Sequence, residues 1–195
     1  MKFTKKSDVI KQYEMRRPSV FGEAYSRNAA SIFLKNRANE FEYSEKYDVF
    51  LSHAYTDARI VRQVRRRLLD LGLSVYVDWI EDKQLDRGNV NSSTALVLRN
   101  RMNNCGSLIY LTSDAAEKSV WMPWELGYMD SFTNRVAIAP IVDDDDAEFS
   151  GREYLSIYPY IELTDSYSFA RQSDGKFKSV DGWVRDSYEW IVSNA

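Results

Sequence analysis

The 195-residue chain predicts an α/β fold: a central, mostly parallel five-stranded sheet with helices on both faces, preceded by a helical extension. Three observations carry that expectation. From Tyr47 onward, short β-branched or aromatic runs alternate with stretches of helical periodicity. The runs are apolar throughout rather than alternating, as strands covered on both sides are. The length suits one domain with residues to spare at one end, and a chain of this size buries enough apolar surface to need no disulfide or metal for its core. The boundary is placed at 46/47, with residues 1–46 as the extension and 47–195 as the domain.

The extension is basic (Lys2, Lys5, Lys6, Lys11, Arg16, Arg17) and carries one helical pattern over 27–41, where Ala30, Phe33 and Leu34 share a face. Residues 47–52 (YDVFLS) read as the first strand. Residues 57–70 read as an amphipathic helix in which Ile60, Val61, Val64 and Leu68 line one face and Gly72 ends it. Asp57 is expected to cap its start, and the arginines at 62 and 65–67 fall mostly on a solvated outer face. Residues 73–78 (LSVYVD) form a second strand, followed by a polar loop through Gly88. A helix over 91–102 leads to the strand 107–112 (SLIYLT), and a further helix starts near Trp121. Residues 136–142 (VAIAPIV) form another buried strand and 160–163 (YIEL) a short last one, with a closing helix around 183–192. In parallel sheets ligands bind outside the carboxyl ends of the strands. That directs attention to the loops after Ser52, Asp78, Thr112 and Val142.

A net charge of −3 with both signs interspersed gives no ground for nucleic acid as a partner. The apolar runs are strand-sized and too short to cross a bilayer, so no membrane partner is expected. A single cysteine, Cys105, and the lack of a signal peptide point to a reducing, cytoplasmic location. Cys105 has no basic neighbour in sequence and reads as a buried thiol. Four consecutive aspartates at 143–146 cannot converge on one ion and lack calcium-loop spacing, so they read as solvated loop and no metal site is expected. No Gly-x-Gly-x-x-Gly and no Walker pattern follows any strand. A nucleotide that binds here is therefore expected to be consumed as a substrate, with no redox cofactor. The 13 Tyr and 5 Trp leave rings for stacking a planar ligand beyond those the core absorbs.

Three segments in order carry a resemblance: YDVFLSHAYTD at 47–57, Tyr76-Val77-Asp78 with the loop to Arg87-Gly88, and SVWMPWEL at 119–126 with its Trp121-x-x-x-Glu125 spacing. Together they resemble the Toll/interleukin receptor (TIR) family over about residues 47–165, and the Ser-His of the first segment resembles its bacterial members. The resemblance implies a flavodoxin-like TIR fold. It implies two possible kinds of function. Some members only assemble with other TIR domains to relay a signal. Others cleave NAD at the nicotinamide–ribose bond with the Glu of the third segment. It further implies TIR–TIR self-association, with the polar loop over 79–88 reaching across to a neighbour. A stand-alone TIR chain resembles the bacterial antiphage-defence (Thoeris-like) proteins that make a diffusible nucleotide signal for a separate effector protein. The basic extension is a departure from that pattern, expected to serve structure or assembly rather than catalysis.

The chemistry can work with few groups. Nicotinamide in NAD is already cationic and leaves neutral, so one carboxylate suffices where ordinary glycosidases need two. Trp121 and Glu125, four apart, share one helix face, and Pro123, tolerated in a first turn, places Glu125 near the helix N-terminus. By spacing alone, a packed Trp121 and a capping Glu125 are the simpler reading; the family resemblance turns it toward catalysis by Glu125 with Trp121 against the substrate. His53, the single histidine, follows the first strand and could bind phosphate or ribose, or hold the loop. Ser52 and Tyr55 share that loop as candidate NAD contacts. Tyr76 could place its ring on nicotinamide or lie in the core, and Trp79 could stack on adenine. The expected activity is NAD cleavage giving a cyclic ADP-ribose isomer or ADP-ribose. A non-catalytic adaptor is the alternative, and a receiver-type domain is disfavoured by the missing acidic pair after the first strand.

Overall fold

The computed structural model describes residues 4–5, 45–82, 92–113, 115–142, 153–164, 167–186 and 189–192. The helical pattern over 27–41, the acidic run at 143–146 and the loop beyond Asp82 through Gly88 lie outside them. The strands are β1 (Thr4–Lys5), β2 (Tyr47–Ser52), β3 (Val75–Tyr76), β4 (Cys105–Thr112), β5 (Val136–Val142), β6 (Tyr160–Leu163), β7 (Ser168–Arg171) and β8 (Phe177–Ser179). They form one sheet in the order β3-β2-β4-β5-β6-β7-β8, and β1 also pairs with β5. The five from β3 to β6 run parallel, as expected, while β7 and β8 are antiparallel.

The helices are α1 (Ala58–Asp70), α2 (Asp78–Glu81), α3 (Ser92–Asn103), α4 (Trp121–Thr133) and α5 (Val180–Val184). Period-two alternation divides each central strand between two cores. Val49, Leu51, Ile109, Leu111, Ala137 and Ala139 face the layer of α1 and α5. Phe50, Leu108, Tyr110, Val136 and Ile138 face α3 and α4. In α1 the expected stripe Ile60, Val61, Val64 and Leu68 is the buried one, each side chain contributing about 1.5–3 kcal/mol of burial. The helix ends at Gly72, whose φ of 77° is the left-handed conformation such a stop requires. No described helix is long and apolar enough to cross a membrane.

Four expectations change. The second strand shrinks from 73–78 to Val75–Tyr76, because the carbonyl of Val77 accepts from Ile80 and Glu81 and turns the chain into α2. The outer arginines of α1 are not simply solvated: Arg65 pairs with Glu81 and Arg67 donates to the Leu163 carbonyl. The closing helix comes earlier and is only five residues long; past it Asp186 takes a positive φ and Ile191 bridges to Phe177. The β7–β8 hairpin is new. Its strands are short and polar, but its turn carries an Asp174-Gly175 pair, a recognised hairpin signal. The first residues also join the sheet, Thr4 and Lys5 pairing with Ile141 and Val142 at the carboxyl end of β5.

Candidate active site

The carboxyl ends of β2 and β4 stand side by side, Ser52 opposite Tyr110, and the start of α4 packs across them. Trp121 is the first residue of α4 and Pro123 the third, where its missing N–H costs no helical hydrogen bond. Glu125 then falls at the fifth position. Its side chain is fully buried, and Trp121 one turn earlier is 7% exposed. A buried carboxylate needs hydrogen bonds to offset lost hydration. Glu125 accepts one from the Ser52 hydroxyl at 2.6 Å, and Ser52 is itself fully buried. Thus Ser52, Trp121 and Glu125 converge on the α3/α4 side of the sheet.

A second serine–carboxylate pair stands farther out. The Ser113 hydroxyl, just past β4, donates to the Asp57 carboxylate. Asp57 does sit at the start of α1, but its side chain makes no capping hydrogen bond, so the expected capping role is given up to this longer contact. Ser113 was not anticipated from sequence, although its loop follows the end of a parallel strand.

The other expected contacts are distributed differently. His53 is buried, its Nδ1 2.8 Å from the Leu51 carbonyl and its Nε2 accepting from the Trp79 indole at 2.8 Å. With these partners, and the Asp78 carboxylate 3.4 Å from Nε2, His53 holds its loop rather than offering a free nitrogen to phosphate. Trp79 packs against the opposite core from Glu125, and the Arg62 guanidinium lies 5.1 Å from its ring centre. Stacking Trp79 on adenine beside Glu125 is therefore not what this arrangement provides. Tyr76 is fully buried, stacked on Phe50 at 5.1 Å, and donates its hydroxyl to Asp82 at 2.7 Å. It packs as a core residue of the α3/α4 side. Tyr55 alone among the expected contacts projects outward, 73% exposed on the turn after β2. Cys105 is buried as expected, and burial pushes its thiol well above the usual range.

An aromatic ladder runs up α4 from this region. Trp121 meets Trp124 edge-on at 5.5 Å, Trp124 stacks on Tyr128, and Tyr128 on Phe132. Between α3 and α4 the first three of these rings, Trp121, Trp124 and Tyr128, wall a cleft of about 660 Å³ with Arg99 and Val120, a size that suits a small organic ligand. Glu125 does not line it. The helical spacing of 124, 128 and 132 is the signal by which the ladder could have been found.

A family model described as TIR domain matches residues 49–174. The chain belongs to the TIR domain family. This TIR domain is 45% identical over 139 residues, 70% of the chain and 72% of the relative, to a Bacillus cereus (strain MSX-D12) protein named "Probable 3' cyclic ADP-D-ribose synthase ThsB'". It is 30% identical over 92 residues to a protein of Cytobacillus dafuensis provisionally named a cyclic ADP-D-ribose synthase, TIR2, covering 47% of this chain and 24% of that one. Among solved structures it is similar to the TIR domain of the Toll-related receptor TRR-2 from Hydra magnipapillata. There the identity is 19%, the TM-score 0.45, and the coverage 62% of this chain and 87% of that one.

Proposed function

We propose that this TIR domain consumes NAD, breaking the nicotinamide–ribose bond with Glu125 as its essential carboxylate, and releases a cyclic ADP-ribose isomer as a signal in bacterial antiphage defence. The observation that carries the reading is the Ser52–Glu125 pair at the carboxyl ends of the strands, beside the aromatic cleft. An adaptor that works only by assembly has no use for a carboxylate buried there at a cost in hydration. The names borne by the two bacterial relatives support the same chemistry.

In this mechanism the C–N bond breaks with its electron pair going to the nicotinamide ring nitrogen, so the leaving group departs neutral without an added proton. The ribosyl cation that remains is stabilised by the Glu125 carboxylate, which Ser52 orients. Attack by water gives linear ADP-ribose and a proton. Attack by a nucleophile of the substrate's own adenosine half gives the cyclic isomer and a proton. Aromatic walls such as Trp121 and Trp124 favour the second outcome by excluding water and by folding the dinucleotide so that its own nucleophile is near. NAD is the substrate, and a separate effector protein would sense the product.

The test is to incubate purified protein with NAD and identify the products by chromatography and mass spectrometry. Nicotinamide should appear with a product lighter than ADP-ribose by one water. Linear ADP-ribose alone at the earliest times would decide against cyclisation, and no nicotinamide at any protein concentration would favour the adaptor.

Self-association through TIR–TIR contacts belongs to the same proposal, with residues 1–46 serving structure or assembly and 47–195 the chemistry. Turnover per subunit is expected to climb with protein concentration. A rate per subunit that stays constant from dilute to concentrated protein, without any activator, would contradict it.

A further inference from the structure

Glu125 has no exposed surface, yet the proposed reaction brings a ribose carbon beside it. Two short loops stand at this edge of the sheet, 53–57 after β2 and the one after β4 whose described residues are 113 and 115–120. Each ends in or contains a 3-10 turn, Tyr55–Asp57 in one and Ala116–Lys118 in the other. Each also sends an alanine into the buried cluster that includes the first turn of α4: Ala54 and Ala116 lie with Trp121 and Met122. Tyr110 is level with Ser52, so Ser113 stands three residues, roughly 10 Å, farther out along the strand direction. At that outer level the loops are joined side chain to side chain. The Ser113 hydroxyl donates to Asp57 and its oxygen accepts from the Ala116 amide at 3.1 Å, which ties the bond to the turn that carries Ala116. Both Asp57 and Ser113 are partly exposed, so water can compete for them, unlike the sealed Ser52–Glu125 pair beneath.

From this arrangement we infer that Asp57 and Ser113 form a latch that closes the crevice over Glu125, and that NAD reaches the carboxylate when the latch opens. They are positioning residues: they govern access and touch no reacting atom. The inference rests on the reading of Glu125 as the reacting carboxylate, but access to Glu125 can be measured without turnover.

The experiment treats the full chain, without NAD, with a water-soluble carbodiimide and an amine, and reads Glu125 modification by peptide mass spectrometry. Exposed Glu189 serves as the internal reference. Ser113→Ala should raise Glu125 modification about tenfold over wild type, the factor set by one hydrogen bond to a charged group. Turnover of NAD by dilute protein should rise with it. Asp57→Asn keeps the volume and an acceptor oxygen and should give a smaller rise. If Ser113→Ala fails to fold by circular dichroism, Asp57→Asn carries the test. Unchanged modification of Glu125 in a folded variant overturns the latch. Increased modification with no gain in turnover supports the latch and counts instead against Glu125 as the reacting group.

Discussion

Glu125→Gln is expected to lower NAD turnover by about a hundred- to a thousandfold, the scale on which removing one electrostatic contact to a developing charge acts. The substitution keeps the side chain's shape and leaves an oxygen to accept from Ser52, now 2.6 Å away. What it removes is the negative charge that faces the ribosyl cation, so the loss falls on the chemical step rather than on binding. The new amide group must find an acceptor in a fully buried place, which costs about 1–3 kcal/mol of stability. Turnover is therefore to be measured beside thermal unfolding, on protein shown to be folded. Turnover within a few-fold of wild type would sink the mechanism. Unfolding of the variant would redirect the test to Glu125→Asp, which keeps the charge but withdraws it by one methylene.

Arg101→Met is expected to be the most damaging substitution for the fold. Arg101 on α3 donates two hydrogen bonds of 2.8 Å to Asp82, which directly follows α2. Their side chains are only 8% and 2% exposed. The Tyr76 hydroxyl donates to the same carboxylate, and the Arg101 guanidinium lies 5.7 Å from the Tyr76 ring centre. Burial, and then the neighbouring Asp82, hold the Tyr76 hydroxyl far above its ordinary range, so it remains a neutral donor. Hydrogen bonding to Asp82 likewise holds the guanidinium above its ordinary range, against the opposing effect of burial. Removing Arg101 alone strands a buried carboxylate, at a cost of about 3–5 kcal/mol and a fall in Tm of roughly 10 °C. Replacing both partners, Arg101→Met with Asp82→Leu, should recover part of that loss, because neither charge is then left alone although the buried Tyr76 hydroxyl loses its acceptor. Chemical denaturation checks both. A single variant within about 1 kcal/mol of wild type would show that water or another group takes over the pairing.

Much of this protein is decided within short stretches of chain. β2, α1, β4, α4, β5 and β6 follow from local hydrophobic period and from stop signals such as Gly72, because those signals act over a few residues. Pro123 confines itself to the first turn of α4 and so places Trp121 and Glu125, one turn apart, at the helix start. The tertiary structure alone decides which groups meet. Ser52 and Glu125 are 73 residues apart, Ser113 and Asp57 56, and Arg101 and Asp82 19. No short-range signal reaches across those distances; parallel pairing of β2 with β4 is what brings the loops together. The alternation of successive residues between the two faces of the sheet then sorts their roles. It turns Ser52 toward Glu125 on α4, while its neighbour His53 binds Trp79 on the opposite core. Tyr76 shares the α3/α4 side with Ser52, but Phe50 and Asp82 seal it there. Residue type and position near a strand's end made all of these candidates for binding NAD, and only the face each one took in the folded sheet and the partners it met there told them apart.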